Sequence, residues 1–407
     1  MGAVRVGLAL VLTVGLVACG GENPSQTAGP LVKGGSDETG EYIAAANFWK
    51  PAPDHTNRDA CPGGGFGGGG GGGGQASTEP CWVWGEVSGM AADSPDRIIV
   101  AVWGDRERAS GEQRVGGSNY LIEVDGNGDI IKRWTQWDSL FNTPHQVYIS
   151  PYDPERAIYV VERGGRRPSG VDIHEAVYKF SNDGETLIWG LRDPQPKLSR
   201  SEQRAMTDLG PTDFGNPSVL TFLSDGEHFL LADGYDNGRV QTWTTDGEWV
   251  SEFGEVDPDP AIGGPPGAFD LMHGIAVDGV GRIYVGDRRN NRVQVFTPEG
   301  EFVEEWPGVI DPVGIFIDES DAVWVVSAAL NRLIKYNTEG QLQYHFGAYG
   351  RTSVGFPGGF ARPHQVDVDQ AGNVYVSSWD WPGHISKFTP KSGADPAKLV
   401  GQSGSGG

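Results

Sequence analysis

The chain has 407 residues, 54 acidic against 31 basic, and a formal net charge of −23. That balance excludes the basic footprint that nucleic acid requires, and equally a polybasic membrane patch. At 38% hydrophobic residues the chain can bury a large core.

Residues 1–18 read as a targeting segment. Arg5 supplies a thin positive region, Val6 to Ala18 are apolar, and Leu16-Val17-Ala18-Cys19-Gly20 matches the bacterial lipobox. The apolar stretch is too short to span a bilayer comfortably. The expectation is removal of residues 1–18 and a lipid anchor on Cys19, the only membrane contact. In a Gram-negative cell, Gly20 in place of the aspartate that signals inner-membrane retention makes outer-membrane attachment the default expectation. The place expected is the bacterial cell envelope, facing the periplasm or the exterior. Residues 19–80 then serve as anchor, linker and glycine-rich loop. Cys61 and Cys81 are left over, and in an oxidising compartment they are expected to pair, worth roughly 3 kcal/mol by loop entropy. Metal binding by this pair lacks a CxxC spacing. The run of glycines that ends at Gly74 reads as a flexible loop pinched at its base.

From residue 81 to about 400 one pattern recurs. His273-Gly-Ile-Ala-Val-Asp278, Gly281 to Asp287, Asn291 to Phe296 and Gly300 to Trp306 are four short segments of β-branched and aromatic residues between Gly, Asp and Asn turns. Further copies run over Val87–Trp134, Pro144–Trp189, Pro217–Phe253, Pro312–Phe346 and Pro363 to about Leu399. Six four-stranded units predict an all-β, six-bladed β-propeller. Residues 106–118 and 193–211 are too polar for strands and are expected to be loops. Residues 36–58 either cap the ring or add a closing strand, and 401–407 read as a flexible tail.

Three repeats open on a histidine: Pro144-His145-Gln146-Val147, Met272-His273-Gly274-Ile275 and Pro363-His364-Gln365-Val366. They alternate with repeats carrying Ser88, Ser218 and Val313 at the same offset. In a closed six-membered ring, alternate blades lie about 120° apart, so the three imidazoles converge on the axis. Three histidines are the ligand set of an open zinc site. A lone histidine at a strand start is more often a packing residue; three at one offset reverse that reading. His55, His174, His228, His345 and His384 share no repeat offset.

The fourth repeat contains Asp287-x-x-Asn290-x-Arg292-Val-x-x-Phe296, the turn signature of NHL-type repeats, whose Asn and Arg are read as structural. The third reads Asp233-Gly234-Tyr235-Asp236-Asn237-Gly238-Arg239. This turn, the histidine-initiated repeat after it, the Asp287-Arg288 turn and Gly85-Glu86-Val87-Ser88-Gly89 resemble peptidyl-α-hydroxyglycine α-amidating lyase over roughly residues 83–392. The resemblance implies an axial zinc on His145, His273 and His364, Tyr235 as the active-site tyrosine and Arg288 as a substrate-pocket arginine. Trp103 stands where the family has an arginine before Gly-Asp, Arg362 where it has a methionine, and Gln365 where it has an aspartate that helps hold a structural calcium. The first change removes a carboxylate contact that Arg362 or Arg106 is expected to restore; the third weakens the expectation of calcium.

The reaction so implied is collapse of a carbinolamide, N–CH(OH)–COO⁻, to an amide and glyoxylate. Tyr235 would take the hydroxyl proton and Arg288 would hold a planar carboxylate. The substrate expected is a small molecule or peptide bearing a carboxylate, and a monomer is expected. The competing reading is a non-enzymatic propeller that binds protein or glycan partners through a face rich in its 13 tryptophans. A lactonase-like calcium propeller would need axial Asp, Asn and Glu ligands, against which the histidines speak.

Overall fold

The computed structural model describes residues 39–46, 48–50, 82–107, 118–167, 169–261, 263–349, 358–379 and 383–403. Cys19, Cys61, Cys81, the targeting segment and the glycine tract lie outside the described residues.

The alternating segments pair into six four-stranded antiparallel sheets arranged as a six-bladed propeller. The innermost strands are Val87–Ser94, Pro144–Ile149, Val219–Phe222, Met272–Val277, Pro312–Ile317 and Pro363–Val368. Each packs beside the next, and the last beside the first, so the ring closes around an axis. The second strands are covered on both faces. Val323–Ser327 is accordingly buried throughout, whereas the outermost strand Leu187–Arg192 alternates between half-buried and exposed. The apolar core divides, among the described residues, into six clusters, one for each blade–blade interface. The blades are held by their neighbours, so closing the ring matters to every one of them.

Closure comes from the N-terminal side. Tyr42–Ala44 forms the outermost strand of blade six, antiparallel to His384–Pro390 with Ile43 opposite Thr389. The propeller therefore includes a strand ahead of residue 81, because blade six supplies only three strands of its own. Tyr42 is fully buried, with ring centroids 5.3 Å from Phe346 and 6.2 Å from Phe388, and its hydroxyl accepts the Val400 N–H at 2.7 Å. Replacing Tyr42 with alanine should cost about 3–5 kcal/mol by opening both the cavity and the ring. Urea unfolding monitored by tryptophan fluorescence reads this directly; a loss below 1 kcal/mol would mean that the strand is dispensable.

Two expected loops and the tail differ in detail. Asp105–Glu107 is a strand, pairing with Trp82–Trp84 beside blade one. Within 193–211, Arg200–Gln203 forms one helical turn, with Ser199 and Glu202 making a capping box. Gly401–Ser403 is not loose: Gln402 O accepts from Glu319 N at 2.9 Å, and Ser403 bridges to Asp318.

Candidate active site

The histidines sit on β-bulges. The register of the innermost strand shifts between Pro144 and Gln146, between Met272 and Gly274, and between Pro363 and Val366, so each ligand position falls at the irregularity. A bulge re-aims a side chain out of the pleat, and here three alternate blades deliver His145, His273 and His364 to one point. Their ring centroids form a near-equilateral triangle with sides of 4.9, 4.8 and 4.7 Å. All three are buried, and their ligand atoms lie within 4.8 Å of one another.

The positions between the histidines orient them. Nδ1–H of His145 donates to Ser218 O at 2.5 Å, that of His273 to Val313 O at 2.8 Å, and that of His364 to Ser88 O at 2.5 Å. Each acceptor holds the histidine offset in the next blade. The two serines continue the ring, Ser88 Oγ donating to Pro144 O and Ser218 Oγ to Met272 O, next to His145 and His273. With Nδ1 committed as donor, every Nε2 turns an unprotonated lone pair toward the centre. Burial holds the rings neutral: it lowers His364 to about 3, and takes His145 and His273 well below the ordinary imidazole range, helped by the neighbouring histidines. Nε2 of His273 and His364 are 3.3 Å apart. Two lone pairs resist that approach unless a cation lies between them; two nitrogens on a tetrahedral zinc, at Zn–N of about 2.0–2.1 Å, are separated by about 3.4 Å. The donor set fits a metal ion with a coordination position left open.

Tyr235 lies on this triad. Its hydroxyl is 2.7 Å from His273 Nε2 and 3.3 Å from His145 Nε2. Its carbonyl accepts from Arg200 Nη2 at 2.7 Å, so the helical turn over this face helps fix the tyrosine loop. Above it opens a cavity of about 590 Å³ lined by Trp103, Tyr235, Arg288, Trp379, Glu86 and Arg163 among others. Arg288 donates from Nε to Asp311 Oδ1 at 2.6 Å, and its guanidinium is 5.3 Å from the Trp379 ring. Arg362 is exposed and stacks on Trp379 at 4.4 Å, without lining the cavity. Arg106 belongs to the strand Asp105–Glu107, and its side chain is outside what the structure describes.

Arg163, Trp379 and Glu86 are additions to the residues expected from sequence. The strand registers explain the first two. Glu162 pairs with Pro144, Asp287 with Met272 and Ser378 with Pro363, so Arg163, Arg288 and Trp379 each follow the second strand of a histidine-bearing blade. Trp103 holds that position in blade one, after Val102 opposite Val87. Four residues two positions ahead of the ligand offset are left-handed: Asn216 (φ 66°), Leu271 (φ 69°), Asp311 (φ 47°) and Arg362 (φ 58°). Such strained backbone on one rim is typical of binding sites.

The NHL-type turns are structural. The Asp287 carboxylate accepts from Asp270 N, Asn290 Nδ2 and Arg292 Nε at 2.9, 2.9 and 2.8 Å, and Arg292 reaches on to Glu305. Asp233 does the same with Gly215 N, Asn237 and Arg239 at 2.7, 2.6 and 3.0 Å. On the other side of the triad, Gln365 bridges blades one and two. Its Oε1 accepts from Met90 N at 3.1 Å, and its Nε2 donates to Val147 O at 3.0 Å. An amide committed in both directions does not fit the structural calcium that the resemblance implied.

Residues 269–296 match the NHL repeat. The mouse NHL repeat-containing protein 3 is 28% identical over 299 residues, 69% of this chain and 79% of that protein. The rat peptidylglycine alpha-amidating monooxygenase is 29% identical over 234 residues, covering 54% of this chain but 22% of the longer protein. The Drosophila melanogaster peptidyl-alpha-hydroxyglycine alpha-amidating lyase 1 is 24% identical over 352 residues, 77% of this chain and 59% of that protein. The chain is thus a distant relative of both NHL propeller proteins and the amidating enzymes.

Proposed function

We propose that this protein is a zinc-dependent carbon–nitrogen lyase, lipid-anchored at the bacterial cell envelope, that cleaves α-hydroxyglycine-type carbinolamides to an amide and glyoxylate. The observation that carries the reading is a triad of neutral, outward-bonded imidazoles with a tyrosine hydroxyl on it, at the base of a cavity lined by arginines. His145, His273 and His364 would hold zinc, which supplies a Lewis acid that lowers the pKa of a substrate hydroxyl.

The remaining work belongs to the side chains. Tyr235 Oη, placed on the triad, acts as the general base that takes the proton from the carbinol oxygen. The C=O bond of glyoxylate forms as the C–N bond breaks, and the electron pair goes to the amide nitrogen. The same phenol then returns its proton to that nitrogen, so no other reagent is consumed. Arg288, held by Asp311, faces the substrate with its remaining guanidinium nitrogens and suits a planar carboxylate. Trp103 and Trp379 supply flat apolar walls beside the place of the substrate.

The test is glyoxylate release from α-hydroxyhippurate by the purified full-length chain, before and after chelation and zinc repletion. Turnover that is lost on chelation and restored by zinc is expected. A folded, zinc-replete protein with no turnover on α-hydroxyglycine acids would remove the lyase reading.

A further inference from the structure

The cavity over the triad sets three arginines, Arg163, Arg288 and Arg289, against the carboxylates of Glu86 and Asp311 in a chain of net charge −23, and two of these arginines occupy one repeat position in two alternate blades. Arg163 and Arg288 are tethered alike, through Nε, to a left-handed residue ahead of a neighbouring innermost strand. Arg163 donates to Asn216 Oδ1 at 2.7 Å and Arg288 to Asp311 Oδ1 at 2.6 Å. Among the described residues, no acceptor hydrogen-bonds to the Nη atoms of either side chain. The tethers differ in charge. Asp311 is an ion-pair partner that offsets Arg288, whereas the Asn216 amide leaves the Arg163 charge intact. Arg163 also lies 4.0 Å over the ring of Tyr235, whose hydroxyl touches His273. At the same position in blades one and six, Trp103 and Trp379 have buried indole Nε1–H groups with no hydrogen-bond partner among the described residues. The Nη groups of Arg163 and Arg288 are therefore the hydrogen-bond donors this lining holds for an oxyanion-rich ligand.

We infer that Arg163 is the specificity-determining residue for the substrate carboxylate, which it binds together with Arg288, replacing from blade two the basic group that blade one lacks at Trp103. This rests on the lyase reading for the identity of the acid, and on the cavity alone for the anion site. Two guanidiniums approaching from alternate blades grip one carboxylate through charge-assisted bonds, and the substrate's N-acyl group is left pointing outward.

The experiment compares wild type, Arg163→Gln and Arg163→Lys as full-length chains on α-hydroxyhippurate and on its methyl ester, with bound zinc measured in each. Hippurate, which lacks the reacting hydroxyl, serves as a calorimetric binding probe. Arg163→Gln should lower kcat/KM for the acid about 30-fold or more, mainly through KM, and change the ester less than about threefold. Zinc content should not change, hippurate binding should weaken in parallel, and Arg163→Lys should recover part of the loss. Equal losses on acid and ester would show Arg163 acting only as a prop for Tyr235 and overturn the inference. If the wild type binds hippurate without turning over the hydroxy acid, and Arg163→Gln abolishes binding, the anion site stands while the lyase reading fails. Hippurate binding indifferent to Arg163→Gln overturns the site whatever the turnover.

Discussion

Tyr235→Phe should lower kcat by about 10²–10⁴-fold, the range ordinarily lost with a general acid–base group, while KM and bound metal stay close to wild type. The substitution removes one oxygen. The ring keeps its place under Arg163 at 4.0 Å and beside His273 and His145, with centroids 5.3 and 5.8 Å away. That oxygen is 2.7 Å from His273 Nε2, and among the described residues no other hydroxyl hydrogen-bonds to a triad Nε2. Single-turnover kinetics on α-hydroxyhippurate, with metal analysis of the same sample, separates the proton-transfer step from binding. A variant as fast as wild type would make Tyr235 a packing residue over the pore.

His273→Ala should reduce turnover to background and release the metal. Two imidazoles remain, and three protein ligands are the minimum of the open zinc sites that activate oxygen. The change also empties a buried position and leaves Val313 O without its donor at 2.8 Å, a stability cost of about 2–4 kcal/mol. Circular dichroism and a thermal melt must therefore accompany the assay, so that loss of function is read only from folded protein. The competing binding-module reading expects the reverse, a variant that still captures its partner although no metal is present.

The architecture was legible because each blade repeats one grammar of alternating strands and Gly, Asp and Asn turns, and because the histidines recur at a single offset. That offset also located Ser88, Ser218 and Val313, whose carbonyls turned out to orient the imidazoles. Arg163 was hidden for a definable reason. Its strand ends in Glu162 and runs into a loop without the Asp-x-x-Asn-x-Arg frame that marks Arg288, so only strand register makes the two equivalent. Glu162 nonetheless does the work of the missing aspartate, accepting from Thr143 N and Gly164 N at 3.0 and 2.7 Å. Trp379 was obscured in the same way, since its strand ends in Ser378. The closing strand Tyr42–Ala44 is three residues long, too short for any periodicity to show, and its partner strand lies more than 300 residues away in the chain. Gln365 is the opposite case. The substitution for aspartate was visible, and the structure adds how it is accommodated: the amide donates to Val147 O and accepts from Met90 N.

Arg362 illustrates why charge alone misleads. It is close to the rim in sequence terms and basic, yet it stacks outward on Trp379, while the charge nearest the tyrosine comes from Arg163. Arg362→Ala is accordingly expected to change KM for α-hydroxyhippurate less than about threefold, far less than Arg163→Gln.

If alternate blades build one metal site on the axis, inductively coupled plasma mass spectrometry of the wild-type chain should find it as a fixed metal stoichiometry. One zinc per chain is expected after purification without added metal, retained through dialysis at neutral pH. A folded wild-type protein that carries no stoichiometric transition metal, and takes none up when zinc is offered, would contradict it.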